Sequence, residues 1–448
     1  MDAAASSTVV LSPSSAIDAA VAALTTLSPG SPALSAVPAP FGQPFHAKAD
    51  MLSALEPSLN AAIDLYFVKL HAINPIVDAN SVRQRLGQKE HLHNEIFASM
   101  VLCMVAMRFC LPDAAPHSPT SNAVVLLREA MALASVNNDS DLRPTLDRMS
   151  AAMLMANVLR VTTGFNWAYV KTKEAITLSE LLQLDDPLAY DQFTEAEKEI
   201  AISMFWKLAV AERSNALLAQ HCGANAFRPS VSIRGQITHL SSLRKAAVDK
   251  PVVWRLEPTA RLFEAMDPSL IDCITSKCSP PDCRMAVSVA LLAHSSLDAV
   301  PLSAHQSPVQ VADVLFTRLW MHSEVWRACM THSLLQAEDD DSLPQLLVRY
   351  PVEVMAQACE VADGLSFEAI LGNGQAMSNK LRAIASTADW VLSLPDPPRS
   401  YDAVDSIAEG IAMRDRLNDI ADRLADAPWV RYDLPGLGHR LSRPRPLV

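Results

Sequence analysis

The sequence predicts an all-α protein, a multi-helix array of antiparallel helix pairs, and three observations predict it. Apolar residues recur at spacings of three and four through most of the chain, the signature of one helix face. No sustained period-two alternation occurs, and no Asn-Gly pair joins two apolar runs as a hairpin would require. Leu, Ala, Met and Val dominate, while Gly numbers only 12 and aromatics make up 6%, a balance that favours helix over sheet.

Residues 1–50 are rich in Ala, Ser and Pro with almost no charge, and they read as a flexible leader holding at most a short helix near Ile17, Val21 and Leu24. Order is expected from Leu55. Leu59, Ile63, Tyr66, Leu70 and Ile73 share one face of a helix that should stop at Asn74-Pro75, because the residue before a proline disfavours the α region. Residues 93–110 form a heavily apolar helix, and Pro112, Pro116 and Pro119 break the chain after it. Further helices are expected over 121–134, 145–163 and 165–184, with Ala168, Ala175, Leu178 and Leu182 facing inward in the last.

The stretch from Thr194 to Ile233 organises the rest. Thr194 and Glu197 form a capping box, in which each side chain satisfies a free backbone N–H at the helix start. Ile200 to Val210 is then apolar on nearly every face, which calls for burial among other helices. Glu212 and Arg213 follow directly, and their adjacency suggests a paired, buried acid and base acting as a structural clamp. Gly223 and Phe227-Arg228-Pro229 end the helix. Beyond it, 260–275, 284–299, 309–336, 343–363, 366–373, 376–394 and 401–424 read as helices punctuated by prolines. Residues 51–430 thus make one all-α unit, and 431–448 a loose basic tail.

Composition limits the function. A net charge of −12 disfavours a chain that grips nucleic acid by itself, since phosphate contacts need a basic surface. The one basic region of any length is 228–258, read as a solvated connecting face. No apolar run reaches about 18 residues, so no membrane helix is expected. The 8 cysteines lie mostly in apolar runs and read as small core residues of a reduced compartment.

Three stretches carry a family resemblance. The first is AIDLYFVKLHAINPIVDANSVRQRL, residues 62–86. The second is GFNWAYVKTKEAITLSELLQLDDP, residues 164–187. The third combines Glu195-Ala196-Glu197, Phe205-Trp206, Glu212-Arg213, Gly223 and Pro229. In this order they resemble the regulatory, or middle homology, domain of fungal zinc-cluster transcription factors, with core landmarks over 55–235. Two departures stand out. The family's Gly-Leu-His ending of the second stretch is here Gln183-Leu184-Asp185, and its arginines before Phe-Trp are here Ala201, Ile202 and Ser203.

The family carries a six-cysteine zinc cluster that presents a helix to DNA, whereas residues 1–102 hold no cysteine. The resemblance therefore implies a nuclear transcriptional regulator whose DNA contact comes from a partner, either another transcription factor or a paralogous subunit. An upstream exon encoding the cluster is the other source of such a head. A metabolic or secondary-metabolite gene set, a small-molecule effector and a homodimer are the corresponding expectations. Trp167, Phe205 and Trp206 are the candidate effector-pocket or core landmarks, together with Glu212 and Arg213.

Other constellations are weaker. Cys273, Cys278 and Cys283 sit in DCITSKCSPPDCR, but no Cys-x2-Cys element and no nearby His supplies a fourth ligand, so they read as loop thiols. His91-Leu92-His93 with Glu95 reads as a capped, solvated helix start. Glu338-Asp339-Asp340-Asp341 resembles the aspartate-rich motif of terpene cyclases, which makes an all-α enzyme of that type the alternative reading, beside a helical scaffold or inhibitor of a paralogous factor. The aromatic content argues against the enzyme, and the acidic run reads as a solvated turn. No phosphate loop, nucleophile elbow or His-Glu-x-x-His occurs. No catalytic residue, cofactor or metal is expected.

Overall fold

In the computed structural model, the residues described are 46–71, 73–110, 119–135, 143–162, 164–221, 231–233, 237–240, 256–278, 283–302, 306–336, 343–394 and 406–426. Fifteen α-helices and no strand occur among them: α1 His46–Lys69, α2 Ala79–Gly87, α3 Glu95–Arg108, α4 Pro119–Ala134, α5 Leu146–Thr162, α6 Phe165–Leu181, α7 Glu195–His221, α8 Glu257–Ala265, α9 Pro268–Ile274, α10 Val287–Asp298, α11 Pro308–Thr331, α12 Tyr350–Gly364, α13 Phe367–Leu371, α14 Gly374–Leu392 and α15 Ile407–Asp426. The all-α class is as the sequence predicts. Most of the leader, the basic tail, most of the 228–258 segment and the acidic run at 338–341 lie outside the described residues.

Helix starts follow their caps. The Thr194–Glu197 box forms, with the Thr194 N–H donating to Glu197 Oε2 at 2.9 Å and the Glu197 N–H to Thr194 Oγ1 at 3.4 Å. A second box, Ser307 with Gln310, opens α11. Asn94 caps α3 through the Phe97 N–H at 3.0 Å. Helix stops differ from expectation in two places. The first helix begins upstream of Leu55, at His46, and ends at Lys69 rather than at Asn74. The single helix expected over 260–275 is two, split where Asp267 caps the Pro-led α9.

Packing proceeds by neighbours in sequence: α3 with α4, α5 with α6, and α14 with α15. Helix α7 packs on α5 and α6 on one side and on α8 and α9 on the other, and these two in turn pack on α11. Helix α11 is the spine of the C-terminal part, contacting α10, α12, α13 and α14. A contiguous apolar core runs from Leu55 to Leu424 and includes Trp206, Trp320 and Trp326.

Candidate functional site

The three landmark stretches converge on α7. From the first, the backbone between α1 and α2 turns through Pro75, burying Ile76 completely. His71 Nε2 and Val77 O lie 2.8 Å apart across this turn, and Ser150 of α5 donates to Ile76 O at 3.1 Å. Lys207 of α7 donates to Ile73 O at 3.0 Å. Burial pushes the Lys207 ammonium down to about 8, against the favourable field of Asp313. Asp313 itself is held by Lys380 at 2.7 Å, and Lys380 also donates to Thr317 at 2.6 Å. Lys207 thus ties the first landmark to α7 and lies in the field of the Asp313–Lys380 pair that joins α11 to α14.

The second landmark meets the third at Lys173 of α6. Its ammonium contacts the carboxylate of Glu212, which is fully buried. Ser232 donates to the same oxygen at 2.6 Å, and the Ile233 N–H to the other at 2.9 Å. Burial works against the charged form, but these donors outweigh it and hold Glu212 below the usual carboxylate range.

The expected Glu212–Arg213 clamp does not form. Successive residues on a helix project about 100° apart, so the two side chains leave α7 in different directions. Arg213 is buried at 1% exposure, and neither its Nε nor its Nη1 has a hydrogen-bond partner. Burial lowers its affinity for the proton, with Glu212, Asp267 and Glu264 supplying only a diffuse opposing field. Asn215 accepts from Arg160 at 3.1 Å, while its own amide nitrogen is unpartnered.

The aromatic landmarks separate. Phe205 and Trp206 are core residues, at 3% and 0% exposure. Trp167 is not: it stands 59% exposed on α6, with Val170 one turn on and Leu181 on the same helix also exposed. Phe205 and Trp206 thus belong to the core and Trp167 to the surface. Sequence reasoning held the clue, since the inward series Ala168, Ala175 and Leu182 leaves Trp167 off that face.

The Gln183 departure has a local structure. The chain leaves α6 in a Schellman motif, with Leu184 N–H to Ser179 O at 3.0 Å and Gln183 N–H to Glu180 O at 3.0 Å. Gln183 has φ 53°, the left-handed position that glycine normally fills, and Leu184 is completely buried behind it.

The His91 pair is not a solvated helix start throughout. His93 is exposed, but His91 is buried at 2% with both ring nitrogens unpartnered, and burial lowers its proton affinity. The neighbouring Glu90 and Asp147 clamp Arg85 at 2.8 and 2.6 Å. A separate polar cluster, unforeseen from sequence, joins α10, α11 and α12. His294 and His322 stack, with Nδ1 atoms 2.6 Å apart. His322 Nε2 lies 3.1 Å from Asp298, and Tyr350 Oη 3.2 Å from His322 Nδ1. The carboxylate can only accept, so His322 carries its proton on Nε2, and His294 Nδ1–H then donates to His322 Nδ1.

The loop thiols come together with a residue remote in sequence. Cys273, Cys278, Cys283 and His332 present one ligand atom each, all within 4.8 Å of one another. No helix among the described residues is long and apolar enough to cross a membrane.

Compared with known proteins, the chain is 22% identical over 283 residues to a probable sucrose utilization protein, SUC1, of Candida albicans. The match takes in 62% of this chain and 53% of that protein, so the chain spans about half the length of the curated relative it matches. No family model matches the chain. No solved structure matches it.

Proposed function

We propose that this chain is a fungal-type transcriptional regulator whose helical body is a regulatory domain, acting in the nucleus on genes of carbon-source or other metabolic use. It acts without chemistry of its own. The observation that carries the reading is the convergence of the three landmark stretches on one helix, through Lys207 to Ile73 and through Lys173 to Glu212. A distant likeness to a protein named for sucrose utilization supports the carbon-source setting. The acidic net charge of −12 favours recruitment to DNA by a DNA-binding partner, another transcription factor or a paralogous subunit. The exposed Trp167 and Val170, one turn apart on α6, are the apolar contact offered to that partner.

The test is a deletion of the gene followed by transcript comparison on several carbon sources, with purified protein titrated on affected promoters at two salt concentrations. A coherent gene set that changes, together with promoter binding only in the presence of a partner, supports the reading. Unchanged transcripts refute it. Tight, salt-sensitive and sequence-selective binding by the chain alone refutes the partner requirement.

A further inference from the structure

The cysteines in DCITSKCSPPDCR lack the spacing of a zinc ribbon, and the fold supplies what the spacing lacks. Cys273 lies in the last turn of α9. The chain then reverses through Ser276, which takes the left-handed conformation at φ 53°, and the N–H groups of Lys277 and Cys278 both return to Asp272 O, at 2.8 and 3.2 Å. This reversal carries the Cys278 thiol back beside Cys273. Cys283 approaches from the following segment, its Sγ 3.9 Å from that of Cys273.

The fourth group is His332, the C-terminal cap of α11. Its Nδ1 lies 2.8 Å from Ala328 O. A carbonyl only accepts, so Nδ1 bears the proton and Nε2 presents its lone pair. That lone pair points at Cys278 Sγ, 3.3 Å away. A ring fixed by a backbone carbonyl through one nitrogen, with the other facing thiols, is how a metal-bound histidine is oriented.

The separations fit a tetrahedral ion. Bonds of about 2.3 Å to sulfur and about 2.0 Å to nitrogen place sulfurs roughly 3.8 Å apart and nitrogen roughly 3.5 Å from sulfur. The observed 3.9 and 3.3 Å bracket those edges.

We propose that Cys273, Cys278, Cys283 and His332 form a structural zinc site of Cys3His type. The ion closes the connection after α9 onto the end of α11, and α9 packs on both α7 and α11. It therefore fastens the α7 half of the molecule to the C-terminal spine. All four positions are taken by protein, so the site has no open coordination position and performs no catalysis. Binding displaces the thiol protons to solvent, with no change of oxidation state.

The test uses the full chain, purified under reducing conditions. Metal content is measured by plasma mass spectrometry, and the zinc is replaced by cobalt(II), whose spectrum reports geometry and thiolate ligation. The expected results are about one zinc per chain, a thiolate-to-cobalt charge-transfer band and the visible bands of a tetrahedral site. Cys278→Ser should lose zinc, and His332→Cys should retain it, because the replacement thiolate restores four ligands. Circular dichroism shows whether each variant folds; if Cys278→Ser does not, the wild-type zinc content and cobalt spectrum decide. The proposal is overturned by wild-type chain that stays metal-free after incubation with zinc, by a Cys273–Cys283 disulfide in its place, or by folded Cys278→Ser with undiminished zinc.

Discussion

The ammonium of Lys173 on α6 neutralises the buried carboxylate of Glu212 on α7, a pairing across helices that replaces the expected one between neighbours Glu212 and Arg213. This pair joins the second landmark stretch to the third, and it sets the first expectation.

Lys173→Met leaves Glu212 in the core with only Ser232 and the Ile233 N–H as donors. Loss of one partner of a buried pair costs about 3 kcal/mol, which thermal denaturation reads as a lowered Tm. Because the folded state holds Glu212 deprotonated below its ordinary range, its contribution is present above the unfolded carboxyl's pKa and is lost as pH falls through the folded value. The Tm gap between wild type and Lys173→Met should therefore narrow in acid. An equal Tm at neutral pH would contradict the pairing.

Arg213 behaves oppositely. A buried guanidinium with Nε and Nη1 unpartnered costs desolvation that the fields of Glu212, Asp267 and Glu264 offset only in part. Arg213→Met should be neutral or stabilising, by up to about 2 kcal/mol in chemical denaturation. A large loss of stability would show that the guanidinium acts as a clamp after all.

At the end of α6, Gln183 occupies a left-handed position that costs an L-residue about 1 kcal/mol. Gln183→Gly should stabilise the protein by roughly 0.5–1 kcal/mol, and Gln183→Val should destabilise it, both by denaturant titration. The resemblance places glycine at this position, and the Schellman hydrogen bonds explain why that residue type suits it.

These three sites show how legibility divides. Caps are legible because they are local: the Thr194–Glu197 box and the apolar run before Glu212 depend on residues a few positions apart. The all-α class is legible from helical spacing, the lack of period-two alternation and the composition. Partners across elements are not. Adjacency suggests Arg213 as the partner of Glu212, and nothing in the local sequence points to Lys173. The approach of His332 to Cys278 is equally illegible, because the two lie 54 residues apart. Residue type makes Trp167 an effector-pocket or core candidate, whereas its phase on α6 places it outward.

The His294–His322 pair predicts acid sensitivity of a second kind. Burial first, then the neighbouring His322, lowers His294 to about 3, so the folded state keeps it neutral. The unfolded chain takes up a proton below about 6.5, and the native state is destabilised as pH falls from there towards about 3, by up to about 4 kcal/mol. Asp298 offsets part of this. His294→Gln should flatten the decline of stability over that range, measured by urea titration at successive pH values, and an unaltered slope would place the acid-sensitive group elsewhere.

The exposed Trp167 gives a functional expectation without a structural one. Trp167→Ser should change stability by no more than about 0.5 kcal/mol while weakening association with a DNA-binding partner. Co-purification of the tagged variant and thermal denaturation separate the two effects.

The proposal of a transcriptional regulator is tested most directly by transcript profiling of a strain lacking the gene, compared with its parent on sucrose and on glucose. The account predicts a limited, coherent set of metabolic genes whose response to the carbon source is lost and is restored by the wild-type gene. Indistinguishable transcript profiles in the two strains on both carbon sources would contradict it.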